Sequence, residues 1–168
     1  MRMIVDVLHD VEPDPDLSDL AVIFPAYNEE PRVAEAIETA LGAGVGLVVC
    51  VNDCSTDRTG EILDGLRDRP RVEIVHHEVN QGKQAAVKHG LQKALENPRM
   101  RRFGTLDADM QDDPATLSRV AAPVGDYDMV SAYRTRDEMP LVRRLANTLA
   151  NLPYRVLAGV PIHDVLEM

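Results

Sequence analysis

The stretch that decides the fold is Gly46-Leu47-Val48-Val49-Cys50-Val51-Asn52-Asp53-Cys54-Ser55-Thr56-Asp57. It opens with an apolar run, Gly46–Val51, that is rich in β-branched residues, as in a strand buried on both faces. A polar loop follows, and Ser55–Arg67 then carries Ile62, Leu63 and Leu66 at helical spacing. A strand, a polar loop and a helix in this order predict one unit of an α/β protein with a parallel sheet.

The same alternation extends in both directions along the chain. The other predicted strands are Leu20–Pro25, Arg71–His76, Arg102–Leu106 and Tyr127–Tyr133. The other predicted helices are Glu30–Leu41, Gln81–Glu96 with Ala85, Ala86, Leu91 and Leu95 inward, Pro114–Val120, and Leu141–Leu157 interrupted at Pro153. We expect a Rossmann-like α/β fold, a mainly parallel sheet with helices on both faces. We expect an irregular acidic lead-in over residues 1–19 and a single domain over residues 20–168.

Charge and composition exclude several classes of protein. The net charge of −10 argues against a nucleic-acid surface, which needs clustered Lys and Arg. Cys50 and Cys54 match no zinc pattern and predict free thiols in a reducing cytoplasm. The start of the chain does not resemble a signal peptide, and no run approaches the ~20 apolar residues of a spanning helix. We expect a cytoplasmic protein that is soluble or at most attached to a membrane surface.

The loop after the fourth predicted strand carries the strongest chemical signal, Asp107-Ala108-Asp109-Met110-Gln111-Asp112-Asp113-Pro114. Carboxylates two residues apart at the carboxyl end of a strand can share a divalent cation, and ligands bind at such ends in open α/β sheets. Oxygen ligands suit Mg²⁺ or Mn²⁺. Asp113 is better explained as a cap for a helix that begins at Pro114.

The other strand-end loops supply polar groups of a different kind. Asp53 lies at a strand tip, where its carboxylate can accept a hydrogen bond from a base N–H, while Asp57 or Ser55 is expected to cap the next helix. Gly82 and Lys83 begin a helix, which suits phosphate. The glycines of Gly42–Gly46 do not form a dinucleotide-binding motif, because they follow a helix and precede a strand.

Together the loops resemble family 2 glycosyltransferases of the GT-A fold. The ordered motifs are Phe24-Pro25-Ala26-Tyr27-Asn28-Glu29-Glu30, Asn52-Asp53-Cys54-Ser55-Thr56-Asp57, Asn80-Gln81-Gly82-Lys83 and Asp107-Ala108-Asp109-Met110-Gln111-Asp112. Gln111 narrows the resemblance to dolichyl-phosphate mannose synthases and related polyprenyl-phosphate glycosyltransferases. Ser131–Arg134, Arg143-Arg144, Asn147 and His163-Asp164 also fit, so the resemblance spans Leu20 to Asp164.

The resemblance implies a role for each matched residue. The nucleoside would be held by Pro25, Tyr27, Glu29 and Asp53. The metal would be held by Asp107, Asp109 and Gln111. The phosphates of donor and acceptor would be held by Arg134 and one of Arg143 or Arg144. The implied reaction is inverting transfer of a hexose from a nucleotide-diphosphate sugar, of the GDP-mannose or UDP-glucose type, to a polyprenyl or dolichyl phosphate. Because that acceptor is already anionic, Asp164 would act as a base only toward a hydroxyl acceptor.

Three alternatives stay open at this point. The first is a family 2 transferase with a hydroxyl acceptor. Gln111 and Arg134 argue against this class of enzyme. The second is a non-catalytic domain that binds nucleotide sugar, favoured by the Val165–Met168 ending where relatives have a Ser-Gly-Phe-Arg-like segment. The third is a nucleotidyltransferase, which would need a glycine-rich loop with Lys or Arg after the first strand. Pro25-Ala26-Tyr27-Asn28 is not such a loop.

The last predicted helix, Leu141–Leu157, is relevant to membrane attachment. Its apolar stripe, with basic residues beside it, suits an interfacial helix on anionic lipid that presents a lipid-phosphate acceptor. The stripe consists of Leu141, Leu145, Leu149, Leu152 and Val156. The same stripe can instead pack on the sheet or on a partner subunit, as in a homodimer.

Overall fold

The computed structural model describes residues 3–5, 12–14, 16–108, 117–124 and 129–131. The chain divides into two compact units, Met1–Ile4 with Leu8–Val130 and Val5–Val7 with Ser131–Met168. The site described below belongs to the first unit, and nearly all of the second lies outside the described residues. The expected single domain over residues 20–168 therefore stays a prediction.

Strands and helices alternate through the first unit as the sequence predicts. In chain order the elements are β1 (Met3–Val5), β2 (Leu20–Ala26), α1 (Val33–Gly42), β3 (Leu47–Asn52), α2 (Thr59–Leu66), β4 (Val72–His76), α3 (Lys83–Leu95), β5 (Arg102–Thr105), α4 (Leu117–Ala121) and β6 (Met129–Ser131). The first three helices begin two to four residues later than expected, since polar loop residues precede each of them.

The main sheet has four strands in the order β4-β3-β2-β5, and every neighbouring pair is parallel. All of β3 is buried, because helices cover both faces of the sheet. One face packs Ala21, Ile23 and Val49 against Ala86 and Ala94 of α3. The other face, with Val22 and Phe24, packs against α1 and α2 through residues such as Ile37 and Leu63. The carboxyl ends of β2, β3 and β5 therefore meet at one edge.

The inward face of α3 differs from our expectation. Leu91 and Leu95 are 36% and 59% exposed, and the buried residues are Ala86, Gly90 and Ala94. These small residues recur every four positions and let the helix lie close to the sheet. A Cβ on Gly90 would lie 2.5 Å from Cγ2 of Ile23 in β2. Close approach of the helix to the sheet thus excludes the larger side chains from this face.

The fifth predicted strand is confirmed, whereas the expected irregularity of the lead-in is only partly right. The fifth predicted strand does form around Met129–Ser131, but it pairs with β1 in a separate two-stranded sheet. The lead-in is not wholly irregular, since it holds β1 at Met3–Val5. Its later part contributes the buried Leu17 to the core. Pairing of the chain's first strand with a strand over 100 residues later leaves no local trace in the sequence.

One arginine makes several of the contacts that tie the acidic lead-in to the domain. Arg102 of β5 donates to Asp19 Oδ1 at 2.7 Å and to the carbonyl oxygen of Asp16 at 2.6 Å. It also contacts Asp14 Oδ2 at 2.5 Å and the carbonyl oxygen of Ala121 at 3.3 Å. Arg102 of β5 therefore binds both the acidic lead-in and α4.

The glycines after α1 form a helix-ending turn, as the sequence predicts. Gly44 has a φ of 93°, a conformation that favours glycine. A Cβ on Gly46 would lie 1.9 Å from the carbonyl oxygen of Ser18, so a side chain cannot fit there.

Candidate active site

A cleft of about 190 Å³ lies at the carboxyl edge of the main sheet. Its walls are Pro25, Ala26, Tyr27, Glu29, Asp53, Lys83, Ala86, Asp107 and Ala108. Six residues that the sequence singled out thus surround one opening: Pro25, Tyr27, Glu29, Asp53, Lys83 and Asp107. They come from the ends of β2, β3 and β5 and from the start of α3.

The loops after β2 and β3 are joined by direct hydrogen bonds. Asn28 has a φ of 58°, donates its backbone N–H to Ser55 Oγ at 3.0 Å, and accepts the N–H of Thr56 at 2.8 Å. The backbone N–H of Glu29 donates to Oγ1 of the buried Thr59 at 2.8 Å. This bonding fixes Tyr27 and Glu29 at the rim of the cleft.

Helix α2 has no side-chain cap at its N-cap residue, Arg58, so the predicted capping is only partly right. Asp57 accepts the backbone N–H of Thr59 at 2.9 Å and that of Glu30 at 3.2 Å. Ser55 instead binds the neighbouring loop. Both residues therefore stabilise the junction between the two loops.

Asp53 is a carboxylate of the cleft with several hydrogen-bond partners, and it is only 3% exposed. Its Oδ1 accepts the backbone N–H of Gln81 at 2.8 Å and lies 2.7 Å from Nδ1 of His77, while Oδ2 accepts the N–H of Gly82 at 2.7 Å. Burial raises the pKa of this carboxyl, but the N–H groups of Gln81, His77 and Gly82 bring the pKa below its ordinary value overall. Asp53 is therefore ionised, and it shapes the loop before α3.

Lys83 and Asp107 face one another across the cleft. The ammonium of Lys83 lies 2.8 Å from Oδ1 and 2.9 Å from Oδ2 of Asp107, and both side chains are about half exposed. The cation expected to meet phosphate and the carboxylate expected to bind metal are thus paired with each other. The amide of Gly82, which we expected near a ligand, is bound to Asp53 instead.

Several predicted site residues lie outside the described residues, so their roles stay predictions. They are Asp109, Gln111, Arg134, Arg143, Arg144 and Asp164. Within the described ranges there is no cluster of three or more His, Cys, Asp or Glu side chains that could hold a metal ion. Asp107 is thus the one expected metal ligand whose position is known.

Three residues of the site's surroundings were missed by sequence reasoning. His77 and His89 form a hydrogen-bonded chain with Asp53, and the buried Asn52 accepts the N–H of Ser55 and contacts Nδ1 of His76 at 3.0 Å. A polar residue inside a buried strand was the available signal, since buried amides are normally hydrogen-bonded.

Both cysteines are free thiols, as the sequence predicts. Cys50 is buried in β3, and burial raises its pKa to about 12. None of the helices in the described part of the chain is long and apolar enough to cross a bilayer.

The sequence and fold together define the class of this protein. The chain belongs to glycosyl transferase family 2, whose sequence model matches residues 21–157. Its relatives include proteins named undecaprenyl-phosphate 4-deoxy-4-formamido-L-arabinose transferase. The one from Pectobacterium carotovorum is 30% identical in a 157-residue alignment that covers 89% of this chain and 47% of the relative. The one from Pseudomonas aeruginosa is 32% identical over 153 residues, 86% of this chain and 44% of the relative.

A solved structure shows the same fold. Mannosyl-3-phosphoglycerate synthase from Rubrobacter xylanophilus superposes with a TM-score of 0.60 at 22% identity, covering 94% of this chain and 56% of that one. The predicted GT-A-type α/β fold is thereby confirmed. The chain spans about half the length of the curated transferases named above.

Proposed function

We propose that this protein transfers a hexose from a nucleotide-diphosphate sugar to a polyprenyl phosphate, with inversion at the anomeric carbon and with help from Mg²⁺ or Mn²⁺. The observation that carries the proposal is the cleft, in which an aromatic ring, a buried carboxylate and a Lys–Asp pair lie at the carboxyl edge of a parallel sheet. A nucleoside diphosphate needs these groups, since it presents a base, a ribose and charged phosphates.

The polyprenyl phosphate acceptor is supported by the names of the relatives, which act on undecaprenyl phosphate. Such an acceptor is already anionic, so its oxygen can attack C1 of the sugar without a strong general base. The diphosphate leaves from the opposite face with added negative charge. Lys83, with Arg134 and Arg143 or Arg144 from outside the described residues, would stabilise that charge.

The groups around Asp107 suit a hard divalent cation. Its carboxylate is half exposed, faces the cleft, and is held by a lysine that a cation and phosphates can displace. We propose Asp107, Asp109 and Gln111 as the residues that would hold the metal. When bound, the metal would neutralise charge on the diphosphate.

Asp53 favours one kind of base. A carboxylate offers about four acceptor positions, and three of them are used by His77, Gln81 and Gly82. One position on Oδ2 is left for a ligand. Uracil presents a single ring N–H between two carbonyl groups, whereas guanine presents two adjacent donors that call for both oxygens of a carboxylate. We therefore propose a uridine-diphosphate sugar as the donor.

Peripheral attachment to a membrane follows from the proposed acceptor. The phosphate of a polyprenyl lipid lies at the bilayer surface, so the acceptor side of the cleft would face lipid headgroups. The stripe from Leu141 to Val156, expected to make this contact or to pack in a homodimer, lies outside the described residues and stays a prediction.

Calorimetric titration of UDP and GDP, each with Mn²⁺ and with EDTA, tests the donor site. We expect UDP to bind more tightly than GDP. We expect EDTA or Asp107→Asn to weaken UDP binding by about tenfold or more, the effect of losing one charge-assisted contact. Asp68→Asn, an exposed carboxylate away from the cleft, is the matched control and should bind like the wild type.

Each part of the proposal can fail separately in this design. Absence of binding by either nucleotide would contradict the donor site, equal affinity in EDTA would remove the metal, and tighter binding of GDP would refute the argument from Asp53. Transfer of radiolabelled glucose from UDP-glucose to undecaprenyl phosphate, but not to undecaprenol, then tests the acceptor. Transfer to the alcohol would favour a hydroxyl-acceptor enzyme, and binding without transfer a non-catalytic domain.

A further inference from the structure

Three side chains, Asp53, His77 and His89, form a hydrogen-bonded chain that leads away from the cleft. Nδ1 of His77, just after β4, lies 2.7 Å from Oδ1 of Asp53, and Nε2 of the same ring lies 2.8 Å from Nδ1 of His89 in α3. The two rings meet edge to face, with centroids 4.9 Å apart and planes at 81°. His77 is buried and His89 is partly buried.

The protons of this chain can be assigned from its buried end. Asp53 is ionised and accepts only, so Nδ1 of His77 must carry a proton and donate it to Oδ1. With the proton on Nδ1, the other ring nitrogen of His77, Nε2, can accept a hydrogen bond from the Nδ1–H group of His89, 2.8 Å away. Asp53 thus sets the tautomer of His77, and the contact with His89 helps to fix the ring orientation with which His77 meets Asp53.

The orientation of Asp53 matters for the cleft in two ways. Its carboxylate holds the backbone N–H groups of Gln81 and Gly82, and the next residue is Lys83 at the start of α3. The same orientation decides which acceptor position on Oδ2 is left for a ligand. Any rotation of this carboxylate would disturb both the base position and the loop that carries Lys83.

We propose that His77 and His89 are positioning residues for nucleotide recognition, which hold the Asp53 carboxylate in the orientation that receives the base. This inference rests on the proposed function. Neither histidine lines the cleft, so each acts through Asp53 rather than on the ligand. The connection makes the affinity for nucleotide depend on a side chain on α3 that the nucleotide does not touch.

Two substitutions of His89 separate positioning from packing. His89→Asn places an amide N–H as many bonds from the backbone as Nδ1 of histidine, so it can still donate to His77. His89→Leu fills a similar volume without a donor. Gln92→Leu, exposed on the same helix, controls for the addition of a leucine to α3. Since His89 is only partly buried, each full-length variant is expected to fold, which thermal unfolding checks.

The measurements are UDP affinity by calorimetry and the backbone amide proton shifts of Gln81 and Gly82 by NMR. We expect His89→Leu to weaken UDP binding about tenfold, as for one lost hydrogen bond in the recognition network, and to move both amide shifts. His89→Asn and Gln92→Leu should stay within about twofold of wild type, well under the cost of such a bond. Wild-type affinity and shifts in His89→Leu, or an equal loss in His89→Asn, would overturn the inference.

Failure of the proposed function would look different. A wild-type protein that binds no nucleotide would contradict the donor site, yet the amide shifts of Gln81 and Gly82 would still report on the chain. If those shifts were unchanged in His89→Leu, the two histidines would not position Asp53 at all.

Discussion

At the scale of single residues, the pair formed by Lys83 and Asp107 has the most direct bearing on function. Each side chain is half exposed, and in the cleft each one is paired with the opposite charge of the other. A divalent cation on Asp107 would have to replace the ammonium, and the released lysine could then reach the phosphates of the donor. The pair would thus keep the cleft electrostatically balanced when no donor is present.

If a metal ion replaces Lys83 on Asp107, the variant Lys83→Met should bind Mn²⁺ more tightly and UDP more weakly than the wild type. Lys83→Met removes the charge and keeps most of the side chain. Without nucleotide, its affinity for Mn²⁺ should rise about 1.4- to fivefold, because an exposed ion pair is worth about 0.2–1 kcal/mol. With Mn²⁺ present, its affinity for UDP should fall about tenfold or more. Electron paramagnetic resonance of free Mn²⁺ and calorimetry measure the two effects.

Lys88 is an exposed lysine of α3, the helix that begins at Lys83, and it provides the control for charge removal. Lys88→Met should leave both affinities at wild-type values. A Lys83→Met protein whose affinity for Mn²⁺ stays the same or falls would show that the lysine does not compete with metal for Asp107.

At the scale of elements, α3 shows how small residues bring a helix close to a sheet. Gly90 lies where a Cβ would meet Cγ2 of Ile23 at 2.5 Å and Cγ2 of Val51 at 3.1 Å. Both neighbours are β-branched and buried, so they cannot turn away easily. The position of this helix also sets the positions of Lys83 at its start and His89 in its second turn.

Gly90→Ala is therefore expected to destabilise the protein by about 1 kcal/mol net. Overpacking costs about 1–3 kcal/mol, against about 1 kcal/mol gained from the better helix propensity of alanine. Gly65→Ala in α2 is the matched control, because its Cβ would meet nothing within 4 Å. That variant should gain about 0.5–1 kcal/mol. Urea unfolding of both variants measures the contrast, and stabilisation by both would contradict the close packing of α3.

At the scale of the whole described unit, Arg102 joins segments far apart in the chain. It binds the lead-in through Asp14, Asp16 and Asp19, and α4 through Ala121. Its side chain is only 14% exposed. The pKa of Asp14 is lowered by the N–H of Asp16 and by Arg102, so this carboxylate is stabilised in its charged form.

Arg102→Met should lower the free energy of unfolding at neutral pH by about 1–3 kcal/mol, since it leaves partly buried acceptors without a donor. Because the pKa of Asp14 is lower in the folded state, its contribution is present above about pH 4 and is lost as the pH falls through its folded value. The difference from wild type should therefore shrink in acid. Chemical denaturation between pH 7 and pH 3 measures it.

Arg67→Met is the control, because Arg67 forms an exposed pair with Asp64 within one helical turn. Its effect should stay within about 0.5 kcal/mol. If Arg102→Met lowered the free energy of unfolding no more than Arg67→Met does, or by an amount independent of pH, the arginine would not hold the lead-in in place.

The sequence by itself determined the alternation of strands and helices and the edge of the sheet at which the site lies. Burial on both faces makes a parallel strand apolar throughout, as in Gly46–Val51, and this pattern is local. Chain direction then brings the residues after β2, β3 and β5 to one edge, so Pro25, Asp53 and Asp107 could be expected together.

Only the tertiary structure decided which groups meet within that frame. The partners of Asp53 lie 24 to 29 residues further along the chain, and β6 pairs with β1 rather than with the main sheet. Leu91 and Leu95 face outward because Gly90 brings α3 within contact of Ile23, a distance that helical spacing cannot encode. Periodicity specifies which faces are apolar, but hydrogen bonds and steric limits depend on distances between segments that are set only when the helices pack on the sheet.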